Sequence, residues 1–142
     1  MKVFLGADHA GYALKEKIKE FLSKKNIETA DLVTNSEESC DYPDFAKKVA
    51  KAVQKNKGTF GVLVCGTGTG TAITANRFKG IRAVQATTDF LAKMAREHNN
   101  ANIISLGARI VQEKDALKFV ETFLNTPFST EKRHKRRVKK MG

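Results

Sequence analysis

Cys65-Gly66-Thr67-Gly68-Thr69-Gly70 sets a thiol directly ahead of three alternate glycines. Glycines at that spacing let the backbone turn tightly and present its N–H groups inward. A helix is expected to open just after them, so the loop should attract an anion or a developing oxyanion. A cysteine beside such donors tends toward its thiolate, which serves as nucleophile or general base. A tight structural turn with a buried, inert cysteine would use the same residues.

Three familiar sites fail on spacing. The dinucleotide fingerprint G-x-G-x-x-G needs a glycine where Thr71 stands when counted from Gly66, or where Ile73 stands from Gly68. A cysteine phosphatase loop would carry Arg six positions after the thiol, again where Thr71 stands. A P-loop needs Gly-Lys-Ser or Gly-Lys-Thr, and the chain has neither.

Other side chains able to do chemistry are scattered. Asp8 and His9 lie together near the start. They suit a helix cap, or acid–base work by a carboxylate and an imidazole. His98-Asn99 closes an amphipathic stretch, where a core histidine or a helix-end cap is the plainer reading. Arg109 reads first as a surface arginine. Arg133, His134 and Arg137 should share a helix face, and two arginines so spaced suit bidentate phosphate contact. A tail with seven cations contains such a pair by chance as well. Cys40 reads as structural.

The elements that must position these residues follow from alternation of apolar runs with amphipathic segments. Strands are expected over 2–7, 27–33, 59–64, 81–86 and 101–106. Helices are expected over 11–25, 42–54, 70–77, 89–97 and 113–124, with a last, basic helix over 129–140. In the fourth, Leu91, Met94 and Ala95 should face inward, with His98 close to that stripe. Strand–helix alternation implies a parallel sheet with helices on both faces, and continuous runs such as FGVLV suit strands buried on both sides. The fold class is therefore α/β: a single three-layer αβα Rossmann-like domain over residues 1–142, with a five-stranded parallel sheet and a C-terminal basic helix. Ligands in such sheets bind beyond the carboxyl ends of the strands. Asp8, His9, Cys65 and Arg109 all follow strands and meet that test. His98 fails it, because the end of its helix leads back to the amino edge. If it is catalytic, another subunit supplies it.

Composition bounds the class. The chain has 142 residues, a net charge of +11 and 41% hydrophobic residues, a length and composition suited to one globular domain. No apolar run approaches the ~20 residues of a membrane span. The opening reads as a first strand and not a signal peptide. Two cysteines, Cys40 and Cys65, make no disulfide framework, so the cytoplasm is the default compartment. More than half of the charge sits between Lys132 and Lys140. That concentration fits a polyanion partner, a solvated end or a small-anion site.

Taken in order, the motifs resemble one family. They are GADHAGY from Gly6, DYPDFA from Asp41, VCGTGTG from Val64 and ANRFKGIRA from Ala75, then HNNAN from His98, LGAR from Leu106 and RHxxRV from Arg133. The ordered set resembles the ribose-5-phosphate isomerase B family of sugar-phosphate isomerases, which includes galactose-6-phosphate isomerase. The resemblance implies interconversion of ribose 5-phosphate and ribulose 5-phosphate, without metal or organic cofactor. Cys65 would move a proton between C1 and C2. Gly66, Thr67, Gly68, Thr69 and Gly70 would hold the enediolate. His98 of a partner subunit would assist ring opening, with Asn99 and Asp8 on sugar oxygens and Tyr42 near the sugar. His9, Arg109, Arg133 and Arg137 would hold the phosphate. Some relatives lack the cysteine and use a Glu after the glycine loop. That position is Thr71 here, so the cysteine branch matches better. One chain carries both the cysteine and the histidine–arginine set, which favours a homodimer with shared sites; pairing of dimers into a tetramer stays open.

Two alternatives stay open. An isomerase of a six-carbon phosphate, allose 6-phosphate or galactose 6-phosphate, differs by one carbon, ~1.3 Å of reach. A basic nucleic-acid-binding module would use the tail, but the sequence has no helix-turn-helix or zinc pattern, no Trp and only two Tyr. Neither a specific nucleic-acid partner nor a membrane is expected.

Overall fold

A computed structural model describes residues 1–32 and 40–142. Five strands and six helices alternate along the chain. They are β1 (Lys2–Ala7), α1 (Tyr12–Lys24), β2 (Glu28–Asp31), α2 (Tyr42–Lys55), β3 (Phe60–Cys65), α3 (Thr69–Ala75), β4 (Ala83–Gln85), α4 (Asp89–Asn99), β5 (Ile103–Gly107), α5 (Glu113–Asn125) and α6 (Lys132–Met141). The strands pair in parallel in the order β2-β1-β3-β5-β4.

The strand sequences explain that order. β3 and β5 are apolar but for Ser105 and buried along almost their whole length, as parallel strands covered by helices on both sides must be. β2 (ETAD) is half-exposed and pairs only with β1, so it sits at an edge. β4 is the other edge and keeps just three residues, paired with Ile103, Ile104 and Ser105. It falls short of the expected 81–86 because Ile81 is taken by the turn after Phe78 and Gly80 has φ +80°. The expected strand over 27–33 is realised as Glu28–Asp31, and Val33 lies outside the described residues.

Each face of the sheet has its own apolar layer. α1, α4 and α5 cover one, with Ile18, Leu22, Val120 and Phe123 fully buried against Val62, Ile104 and Leu106. On the other face α2 and α3 place Val49, Ala50 and Ala75 against Leu63 and Ile103. Burying side chains of this size stabilises the fold by about 1.5–3 kcal/mol each. Truncating Phe123, which stacks edge-on with Phe60, would cost about 3–5 kcal/mol.

Two buried cations fill positions that periodicity assigns to apolar side chains. Lys15, on α1, is fully buried and pairs with Asp31 Oδ2 at 2.6 Å and Glu16 Oε1 at 2.9 Å. Burial opposes its charge, but the hydrogen bonds to Asp31 and Glu16 outweigh it and raise the ammonium pKa. The pair ties α1 to the edge strand β2. Arg96, on α4, donates to the carbonyls of Ala101 (2.6 Å) and Thr126 (3.2 Å) and lies over Phe60 and Phe123. Its satisfied guanidinium corrects the expected α4 stripe. Ala92, Ala95 and Arg96 face inward, Met94 is half-buried and Leu91 is 41% exposed.

Because α1 and α5 lie on one face and α3 on the other, the chain leaves β1 and β5 in one direction and β3 between them in the opposite one. That reversal opens a crevice at the carboxyl edge. The loops after β1, β3 and β5 meet there.

Candidate active site

At the end of β3, Cys65 is buried, 4% exposed. Gly68 adopts φ +83°, a left-handed conformation suited to glycine. The turn aims the Gly68 N–H at Cys65 Sγ, 3.1 Å away. The loop also needs glycine in the neighbouring strand end, since a Cβ on Gly107 would lie 2.5 Å from the Thr67 carbonyl oxygen. Thr67 and Thr69 stay exposed on the loop's outer side. Gln85, at the end of β4, clamps that side by donating to Thr67 O at 3.0 Å and Thr69 Oγ1 at 2.7 Å.

Beneath the thiol lie two hydroxyls that sequence reasoning did not single out as a pair. Thr71 Oγ1 is 3.3 Å from Cys65 Sγ and 2.7 Å from Ser105 Oγ. Both residues are essentially inaccessible. Ser105 is brought there by strand register, being opposite Leu63 in the β3–β5 pair.

The neighbouring loops close around this centre. Asp8 follows β1. Its Oδ1 accepts the Gly11 N–H at 3.0 Å, so it shapes the turn into α1. It also lines a cleft of about 440 Å³ with Cys40, Asp41, Tyr42, Pro43 and Asp44. His9 Nδ1 faces the Cys40 N–H at 3.4 Å. The Tyr42 ring fills the space in front of Gly70, where an added Cβ would come 2.1 Å from Cε1. The Arg109 guanidinium lies across Gly66, and its backbone N–H donates to Gly66 O at 2.9 Å.

A second group gathers at the opposite edge of the sheet. α4 runs back from the carboxyl side, and its Asn99 carbonyl accepts from Arg82 Nε, just ahead of β4. His98 is half-buried there and stacks on His134 of α6, 4.2 Å between centroids and 28° between planes. His134 is 4% exposed, and its Nδ1 has no partner among the described residues. Burial depresses its pKa, and the nearby His98, Arg133 and Arg137 push the same way, against Glu131. Arg133 Nε donates to Glu131 Oε2 at 2.6 Å, and both Arg133 and Arg137 are exposed. The expected common face therefore divides, with the two arginines outward and His134 turned into α4. A larger cleft of about 620 Å³ runs along β4 at this edge and has Asn99 on its wall, but no Cys, His, Asp or Glu side chain lines it.

Comparison with known proteins shows the family. Residues 3–141 match the model of a family described as Ribose/Galactose Isomerase. The chain belongs to that family. It is 39% identical over 137 residues to ribose-5-phosphate isomerase B of Escherichia coli, covering 96% of this chain and 91% of that protein. A crystal structure of a ribose 5-phosphate isomerase from Thermotoga maritima matches with a TM-score of 0.95 and 48% identity, over 99% of this chain and 96% of that one. Ribose-5-phosphate isomerase B from Mycoplasma genitalium, solved with bound ribulose-5-phosphate, matches with a TM-score of 0.95 and 39% identity, over 99% and 93% of the two chains.

The expected three-layer αβα fold with a five-stranded parallel sheet, and the family resemblance read from the motifs, are thus borne out. Within one chain the structure brings together Asp8, His9, Tyr42, Cys65, Gly66, Thr67, Gly68, Thr69, Gly70 and Arg109. It places His98 and Asn99 at the end of α4 and Arg133 and Arg137 on α6, apart from that group. Among the described residues no group of three or more His, Cys, Asp or Glu is placed to hold a metal ion, and no helix is long and apolar enough to cross a membrane.

Proposed function

We propose that the chain interconverts ribose 5-phosphate and ribulose 5-phosphate, with Cys65 as the base. The observation that carries this reading is the thiol held against the Gly68 N–H at the carboxyl edge of the sheet. Support comes from a relative of the same fold that was solved with bound ribulose-5-phosphate.

The thiolate takes the proton from C2 of the open-chain aldose, leaving an enediolate. The same sulfur returns that proton to C1, while O1 gains a proton and O2 loses one. Backbone N–H groups of the 66–70 loop, with Thr67, stabilise the oxygen that becomes anionic. No proton or electron is left over, so the cycle asks for no cofactor. Tyr42 and Asp8 border the sugar, and His9 and Arg109 reach the phosphate, whose binding energy orients the reacting carbons.

His98, Asn99, Arg133 and Arg137 join from a second copy of the chain. Their place at the end of α4 and on α6, away from the loop at Cys65, supports this division. The working unit is then a cytoplasmic homodimer with two shared sites. His98 assists opening of the furanose ring, and the two arginines complete the phosphate clamp.

A coupled assay with ribose 5-phosphate, run with a chelator present, tests the proposal. Turnover that ignores the chelator and exceeds that on allose 6-phosphate and galactose 6-phosphate is expected. Loss of activity with chelator, or preference for a six-carbon phosphate, would overturn it.

A further inference from the structure

The hydroxyls of Thr71 and Ser105 form a closed set with the thiol. Ser105 Oγ is 2.8 Å from the Gly68 carbonyl, Thr71 Oγ1 is 3.3 Å from the same oxygen, and the two hydroxyls are 2.7 Å apart. Thr71 then reaches Cys65 Sγ at 3.3 Å. With 1% and 0% exposure, neither hydroxyl meets solvent.

Of the proton arrangements this set allows, two match the two states of the sulfur. In one, Ser105 donates to Gly68 O, Thr71 donates to Ser105 Oγ, and Thr71 Oγ1 accepts the Cys65 S–H. In the other, Ser105 releases Gly68 O and donates to Thr71, and Thr71 donates to the sulfur. Gly68 O then keeps the Ala72 N–H at 3.3 Å as its donor. The first arrangement serves a thiol and the second a thiolate. No heavy atom has to move between them.

We propose that Thr71 and Ser105 are positioning residues that serve both protonation states of Cys65, accepting from the thiol and donating to the thiolate. The inference deepens the isomerase reading above and rests on its assignment of Cys65. A base that takes a proton from one carbon and returns it to the next alternates between these two states in each turnover. A fixed donor would favour the thiolate alone, and a fixed acceptor the thiol alone. The hydroxyl pair follows the proton by rotating two O–H bonds. Because the pair ends at a backbone carbonyl, away from water, it reorients without carrying the proton away from the sulfur.

The test compares Thr71→Val, which keeps the shape and removes the hydroxyl, with Thr71→Ser, which keeps the hydroxyl. Ser105→Ala is the third variant. Turnover and KM on ribose 5-phosphate are measured with melting temperature, alongside the rate at which iodoacetamide labels the Cys65 peptide by mass spectrometry. Losing a hydrogen bond to a charged group should lower kcat about 10- to 100-fold in Thr71→Val. KM should stay within about twofold, and Thr71→Ser should recover to within about fivefold of the parent. Ser105→Ala should lose about 3- to 10-fold, since Thr71 keeps a donor but loses its relay partner. Labelling should slow in Thr71→Val and not in Thr71→Ser. A Thr71→Val enzyme with unchanged kcat, or a Thr71→Ser enzyme as impaired as it at equal melting temperature, would overturn the inference. If Thr71→Val does not fold, unchanged kcat in Ser105→Ala overturns it instead. If the parent protein turns over no ribose 5-phosphate, the isomerase reading fails. The labelling comparison still decides the hydroxyl pair, and equal rates in all forms would sink it.

Discussion

His98 and His134 lie ring over ring, 4.2 Å apart, where α4 meets α6. One imidazole is half-open to solvent and the other is sealed beneath it. The stack is how the fold anchors its basic last helix, and it fixes the direction in which His98 presents its free edge.

Acid should loosen this contact. His134 has a depressed folded-state pKa, through burial first and the neighbouring cations after it. Below the ordinary histidine value of 6.5, the unfolded chain therefore binds a proton that the folded chain resists. Stability falls as pH drops through that window. Melting temperatures at pH 8 and pH 5.5 should fall further for the parent protein than for His134→Gln. Equal falls would show that His134 does not contribute.

Glycines at the site should not tolerate a methyl group, for two different reasons. At Gly11 the added Cβ would sit 2.3 Å from the Val64 carbonyl oxygen, where only backbone could yield. Gly11→Ala should therefore lose about 1–3 kcal/mol or more in a urea titration. At Gly70 the obstacle is the Tyr42 ring, which can swing away. Gly70→Ala should stay folded but displace Tyr42 from the sugar side, raising KM by several-fold.

The proposed division of the site between two copies has a distinctive consequence. Cys65→Ala and His98→Ala, each impaired alone, should regain activity when subunits exchange. In a random mixture half the dimers carry one intact site, so recovery should approach about a quarter of the parent rate. No recovery with exchange verified by mass spectrometry would contradict shared sites.

The frame of the fold was legible because each buried strand is a largely apolar run, and the tight turn at Cys65 because alternate glycines permit it. The α4 stripe was misread at Leu91. An arginine, Arg96, took a buried place by satisfying its donors on carbonyls that only the folded chain assembles. Gln85 and Ser105 were invisible for a related reason. Their partners lie 16 or more residues away and meet them only through strand register and the path of the glycine loop. His98 was placed correctly at the amino edge by topology alone, whereas its partner His134 looked like one more member of a basic face.

The central claim is that Cys65 moves the proton. Its most direct test is turnover of ribose 5-phosphate by Cys65→Ala, with binding of the sugar phosphate measured separately by calorimetry. Removing a general base typically costs about 10²- to 10⁴-fold. The account predicts a loss in that range with sugar-phosphate binding largely retained, and near-normal turnover in the variant would contradict it.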